Sequence, residues 1–154
     1  MKPADQALQG IQIRPAQSAD LGQIIALDTE VTGIEKTDYW YEVFTRYGQG
    51  HTRQRHFLVA ESDAVLRGFV IGDVRDWEFG SPPCGWVFTM AVRPDGRLRG
   101  LGTQLLQALC DAFRHAGVNK VRTLIARDNG LMLSFFRSQG LMAAPVSTLE
   151  KDLG

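Results

Sequence analysis

The stretch Val92-Arg93-Pro94-Asp95-Gly96-Arg97-Leu98-Arg99-Gly100-Leu101-Gly102-Thr103 constrains this chain more than any other. An apolar run, Trp86 to Val92, enters it, and an apolar-periodic run, Leu101 to Phe113, leaves it. The pattern predicts strand, basic glycine-containing loop, helix. A helix N-terminus carries unpaired N–H donors and the positive end of the macrodipole, so it suits phosphate. Gly100 and Gly102 remove Cβ atoms where phosphates would approach the backbone. Arg97 and Arg99 add guanidinium groups able to fork onto phosphate oxygens. On these residues alone, a ligand-free basic turn between strand and helix reads the same.

Two common phosphate loops are excluded. A P-loop ends in Gly-Lys-Ser/Thr, which is missing, and the dinucleotide fingerprint needs a third glycine where Leu105 stands. What remains is V-x-P-x-x-R-x-x-G-x-G, carried by Val92, Pro94, Arg97, Gly100 and Gly102. This resembles the acetyl-CoA loop of the GCN5-related N-acetyltransferases, the GNAT family. A second segment, Asn129 to Leu141, is similar to that family's N-x-x-A-x-x-x-Y-x-x-x-G-F signature at Asn129 and Gly140, with Leu141 for phenylalanine. Phe136 stands where the family commonly has tyrosine.

The rest of the chain sets bounds. A length of 154 residues fits one domain, 1–154, with a sizeable core. Composition is ordinary, 44% hydrophobic and 22% charged, which excludes disorder. Seventeen basic and 17 acidic residues cancel, which argues against nucleic acid as a partner. No apolar run is long enough for a bilayer and the first ten residues lack a signal-peptide pattern, so a cytoplasmic location without membrane attachment is expected. Two cysteines and three histidines show no metal-ligand spacing, and no metal is expected.

Periodicity predicts the order βααβββαβαβ. Ile11 to Arg14 alternates as a strand. Leu21, Ile24, Ile25, Leu27 and Val31 mark a helix that Ser18 or Asp20 caps and Gly33 closes. Thr37 opens a second helix that Gly48 stops. Phe57–Ala60 and Val65–Val74 form a hairpin around Ser62-Asp63. Trp86–Val92 reads as a strand buried on both faces. The helix Gly100–Ala116 ends at Gly117, Val121–Ala126 is a strand, Asp128 or Asn129 caps a helix to Ser138, and Val146–Leu153 is a weak last strand. This is an α/β chain with a mixed central sheet and helices on both faces, the GNAT element order.

The resemblance implies acetyl transfer from acetyl-CoA to an amine by direct attack in a ternary complex. It implies that backbone groups of Met90, Ala91 and Val92 hold the pantetheine arm. It further implies that Arg97, Arg99, Gly100, Leu101, Gly102 and Thr103 hold the pyrophosphate, and that Asn129 bonds pantetheine while Phe136 lies beside it. A backbone N–H of Met90 or Ala91 is the candidate oxyanion donor. Trp86 to Val92 has no carboxylate, so a general base is sought nearby: Asp73, Asp76 and Glu78 end the preceding strand, with a solvated loop charge as the alternative reading for each. Ser134, near Phe136, is a weak hydrogen-bond donor candidate. Residues 28–55 are the expected acceptor wall, with Glu30, Tyr39 and Trp40, while Trp77, Phe79 and Trp86 face them. His51, Arg53 and Arg55 suit a carboxylate, with a solvated basic loop as the alternative reading. The amine's identity and homodimerisation stay open. A binding or regulatory module with little turnover is the rival reading, motivated by Phe136 and the missing carboxylate.

Overall fold

The computed structural model describes residues 10–49, 54–94 and 100–154. Arg97, Arg99, His51 and Arg53 fall outside them. The chain resolves into two compact units, divided between Thr123 and Leu124. The first unit holds strands β1 (Gln12–Pro15), β2 (Arg55–Ser62), β3 (Val65–Arg75), β4 (Cys84–Val92) and β5 (Val121–Thr123). It also holds helices α1 (Leu21–Thr32), α2 (Thr37–Tyr47) and α3 (Leu101–His115). The second unit holds helix α4 (Gly130–Ser138).

The strands form one sheet in the order β1-β2-β3-β4-β5. The first three pairings are antiparallel and β4–β5 is parallel. The β2–β3 hairpin turns at Asp63 and Ala64, both at positive φ (52° and 59°), one residue later than the sequence suggests. Two left-handed residues in a two-residue loop match the right-handed twist of the strands they join.

One face of the sheet packs against α1 and α2. Trp40, Val43, Phe44 and Tyr47 recur at helical spacing and bury against Phe57, Val59, Phe69 and Ile71, together with Leu21, Ile24 and Leu27 of α1. Val31, expected in that stripe, is exposed. The opposite face takes α3 through Leu101, Leu105, Leu109 and Phe113. Here glycine sets the spacing. A Cβ on Gly72 would sit 2.7 Å from the Trp86 carbonyl oxygen and 2.9 Å from Leu109, and one on Gly85 would sit 2.4 Å from the Phe113 ring.

Asp20 was a candidate cap for α1, but its carboxylate is used elsewhere. It accepts from the Gln17 N–H at 2.7 Å and takes both Arg14 Nη atoms at 2.8 Å, while Arg14 also donates to Glu61 at 2.8 Å. Arg14 holds the Asp20 carboxyl below its usual range, against the opposing effect of burial. A depressed folded-state pKa means that the unfolded chain binds the proton first. The stabilisation is therefore complete above about pH 4 and is lost as pH falls through the folded value. Asp20→Asn should cost about 2 kcal/mol at neutral pH, the scale of a charge-assisted bond to a buried group, and flatten the acid side of the stability profile. Urea titrations between pH 2 and 7 check this; an unchanged acid limb would refute it.

Two expectations are corrected. Val146–Leu153 forms no strand. Its apolar residues, Val146, Leu149 and Leu153, are spaced three and four apart rather than alternating, and all three are exposed. β4 is buried on both faces only from Cys84 to Val87, whereas Phe88 is exposed and Thr89 to Val92 are half-buried.

Candidate functional site

The loss of burial along β4 has a cause in the pairing. β5 pairs with β4 only at Gly85, Trp86 and Val87. From Phe88 onward, β3 is the strand that β4 pairs with. The β3 partners change from Thr89 (opposite Ile71) to Val87 (opposite Gly72), so Phe88 is an extra residue, a β-bulge, at the point where β5 pairing stops.

The bulge decides which backbone groups are free for a ligand. Arg93 N–H donates to the Arg67 carbonyl at 2.8 Å. Along an antiparallel strand N–H and C=O groups alternate sides, so Thr89 and Ala91 face β3. Met90 and Val92 direct theirs toward the side on which β5 has ended. Of the two oxyanion-donor candidates, Ala91 therefore lies in the β3 ladder and Met90 has the outward N–H.

The outward-facing strand leads toward the N-terminus of α3. Gly100 is the N-cap, at φ 93° and ψ −3°. This left-handed conformation favours glycine. With no side chain at the cap, the first-turn N–H groups of Leu101 and Gly102 receive no cap from it. A strand offering amide groups and a helix terminus whose cap residue has no side chain suit a ligand with amides and phosphates.

The acceptor candidates separate. Trp40 is 2% exposed and its Nε1 donates to Asp28 at 2.8 Å; it belongs to the core, not to a wall. Asp28, itself buried, also meets Lys36 at 3.1 Å and ties α1 to the start of α2. Tyr39 remains partly exposed, edge-on to Trp40 at 5.3 Å, and its partial burial raises the phenol pKa. Glu30 is exposed and reaches Arg93 at 3.9 Å. Trp77 and Phe79 are exposed at positive φ. Trp86 is buried, with the Arg75 guanidinium 4.8 Å above its ring.

The base candidates Asp76 and Glu78 lie beyond the last β3–β4 pair, Arg75 opposite Cys84. Met90 is six residue steps along the strand from Cys84, about 20 Å at ~3.3 Å each. Both are exposed, and Glu78 pairs with Arg75 at 3.7 Å. Asp73 is closer, opposite Trp86 on the face that α1 and α2 cover. In the second unit, Asn129 caps α4 by accepting from Met132 N–H at 3.2 Å. Phe136 is buried against Phe135, with ring centroids 5.1 Å apart. Ser134 is exposed, two residues and so about 200° around the helix from Phe136, which places it on the opposite side.

Sequence reasoning did not single out Arg75 or Arg122. Arg122 sits opposite Trp86 in β5, and its Nη1 donates to Ser81 Oγ at 3.4 Å. Its signal was a charged residue in the middle of a run read as a buried strand. A half-open cavity of about 870 Å³ lies elsewhere, between Tyr47, Arg55, His56 and His115 near the C-terminal end of α3. The described residues contain no cluster of potential metal ligands, and none of their helices is long and apolar enough to cross a membrane.

Comparison with known proteins agrees with this geometry. A model of the acetyltransferase (GNAT) family matches residues 21–141. The L-2,4-diaminobutyric acid acetyltransferase of Nocardia farcinica is 36% identical over 126 residues, which are 80% of this chain and 61% of that protein. The chain thus spans about three fifths of that relative's length. The L-methionine sulfoximine/L-methionine sulfone acetyltransferase of Pseudomonas aeruginosa is 31% identical over 135 residues, 83% of this chain and 78% of that one. The solved aminoglycoside N-acetyltransferase AAC(6′)-Iy, in complex with CoA, superposes with a TM-score of 0.79 at 18% identity, covering 94% of this chain and 95% of that chain. The aminoglycoside 6′-N-acetyltransferase AAC(6′)-Ih of Acinetobacter baumannii superposes with a TM-score of 0.77 at 19% identity, covering 94% of this chain and 100% of that chain. At such identities these two structures speak to the fold alone.

Proposed function

This chain belongs to the acetyltransferase (GNAT) family, and we propose that it is an acetyl-CoA-dependent N-acetyltransferase acting on a small amine. The observation that carries the reading is the half of β4 beyond Phe88, paired with β3 and leading toward the side-chain-free cap of α3. Acetyl-CoA supplies an activated thioester when bound. The chain's own groups do the rest. The outward amides of Met90 and Val92 hold the pantetheine arm. The first turn of α3, Gly100 to Thr103, receives the pyrophosphate, with Arg97 and Arg99 assisting as the family resemblance implies. Met90 N–H donates to the thioester carbonyl oxygen as it gains charge. Holding amine and thioester together supplies much of the acceleration. The family match runs from residue 21 to 141 and so crosses the division at Thr123; we take 1–154 to act as one catalytic domain.

The acceptor belongs to the small amines. Two relatives are named for amino-acid substrates, which favours an amino acid over an aminoglycoside or a protein. The open half of β4 carries no carboxylate, so the proton on the amine leaves through water. A free aliphatic thiol has a pKa of about 8.5 and a lysine-like ammonium about 10.4. The ammonium is the harder group, so the rate should rise from neutral to alkaline pH. Adding an acid, Phe136→Tyr, should change kcat by less than about tenfold. Thiol release from acetyl-CoA against a panel of amines and amino acids, for both forms across pH 6–9, tests the reading.

The second reading, a binding module, is motivated by Phe136 in place of tyrosine. Absence of turnover with every amine in both forms would favour it over an enzyme. A large gain in Phe136→Tyr would show that the missing phenol limits the rate.

A further inference from the structure

Resting on the acetyltransferase reading, we propose that Asp73 and Arg122, either side of Trp86, hold the ammonium and carboxylate of an α-amino-acid head, and that the nitrogen acetylated is a second, distal amine of the same molecule.

Among the described residues, three buried side-chain polar atoms have no hydrogen-bond partner: Arg67 Nε, Asp73 Oδ1 and Arg122 Nε. Buried polar atoms of this kind are rare because each forfeits its water without compensation. Two of the three fall in one row across the sheet. Arg55 of β2 is opposite Asp73 of β3, Asp73 is opposite Trp86 of β4, and Trp86 is opposite Arg122 of β5. Neighbours in such a row project to the same face. That face is the one carrying Phe69 and Ile71, away from α3, because Gly85 and Gly72 present the α3 side.

The two orphans are chemically complementary to one ligand. Asp73 Oδ1 is an acceptor that Arg75 Nε meets at 3.5 Å, an ion pair without a hydrogen bond. Arg75 is partly committed elsewhere, over the Trp86 ring and toward Glu78. Arg122 Nε is a donor, while Nη1 of the same guanidinium makes a long contact of 3.4 Å to the Ser81 hydroxyl. An ammonium satisfies the first and a carboxylate the second. Strands two apart in a sheet are about 10 Å apart at the backbone, a span that an aspartate, an arginine and an amino-acid head between them can bridge. The row is not sealed, since Asp73 keeps 20% and Arg75 33% of its side-chain exposure. At the bulge itself, Phe88 stacks on Tyr47 at 5.4 Å with planes 8° apart.

Distance then assigns the reacting nitrogen. Met90 is four residues beyond Trp86, at most about 13 Å along the strand. An α-amine adjoins its own carboxylate, so one held at the row stays there. The nitrogen that reaches the Met90 end must be separated from the head by further bonds. A diamino acid meets both conditions, whereas a monoamino acid meets only one.

The test compares L-2,4-diaminobutyrate with 1,3-diaminopropane, the same chain without the carboxylate, and with L-methionine, which has only the α-amine. The native protein should prefer the diamino acid by at least tenfold in kcat/KM over either. Arg122→Gln should raise the diamino acid's KM tenfold or more and collapse its preference over the diamine to within about threefold, while Arg122→Lys recovers part of it. Asp73→Asn should raise the KM of both amines that carry a second ammonium. Thermal melts and acetyl-CoA titration of each variant establish that it is folded. Equal use of the diamine and the diamino acid by the native protein, or equal damage to both in Arg122→Gln, overturns the proposal while leaving the acetyltransferase reading intact. Turnover of none of the three overturns this proposal, while the wider amine panel decides the acetyltransferase reading separately.

Discussion

Met90→Pro is expected to lower kcat by about 10²–10³-fold, the usual cost of losing one oxyanion donor, in a protein that still folds. Proline lacks an N–H, and in most strand positions that would break a ladder bond. Here it would not. The Arg93–Arg67 bond sets the alternation, so the ladder to β3 runs through Thr89 and Ala91, and Met90 directs its N–H to the other side. Proline is tolerated on a strand whose N–H side is unpaired. The substitution also removes a side chain that lies opposite Val70 on the α3 face. Met90→Ala removes that packing but keeps the donor. The expected pattern is a severe loss of kcat in Met90→Pro, with weaker acetyl-CoA binding because the pantetheine arm loses one amide, and less than about a tenfold loss of kcat in Met90→Ala with acetyl-CoA affinity unchanged. Equal losses in both would show a packing role. A fully active Met90→Pro would place the oxyanion donor elsewhere.

That prediction shows where sequence reasoning stopped. The apolar run Trp86–Val92 and the glycine loop after it were readable, because a strand entering a helix through small residues leaves a periodicity change. The helices were readable for the same reason: Leu101, Leu105, Leu109 and Phe113 share a face at helical spacing. The bulge at Phe88 was not readable. One extra residue exchanges the faces of everything beyond it, and nothing in Val87-Phe88-Thr89 announces it. Without the bulge, Met90 and Ala91 could not be told apart as donors. The cross-sheet row was hidden for a related reason. Arg55, Asp73, Trp86 and Arg122 lie on four strands, and only their register brings them together. The aromatic density of residues 39–47 misled differently. Trp40, Phe44 and Tyr47 are four and three apart, the spacing of a buried helical stripe, and they are buried. Tyr39 and Tyr41, off that stripe, are the ones exposed.

Gly102→Glu should weaken acetyl-CoA binding by at least about 100-fold, about 2.7 kcal/mol, without weakening the fold. One added charge has two opposite effects here. Gly102 is the second residue of α3, inside its first turn. A carboxylate there interacts favourably with the helix macrodipole by about 0.3–1 kcal/mol, and glycine is among the poorest helix formers. Helix stability therefore rises. The same carboxylate occupies the space in front of the first-turn N–H groups and repels the phosphates those groups would bind. Stability and affinity are thus expected to move in opposite directions, which a variant damaged by misfolding cannot imitate. Gly102→Ala, uncharged and also a better helix former, should give a smaller loss. Calorimetric titration with acetyl-CoA and thermal melting of the three proteins measure both quantities. A melting temperature that falls together with the affinity would mean that Gly102 serves packing. An affinity unchanged in a folded Gly102→Glu protein would mean that the pyrophosphate does not sit at this helix terminus.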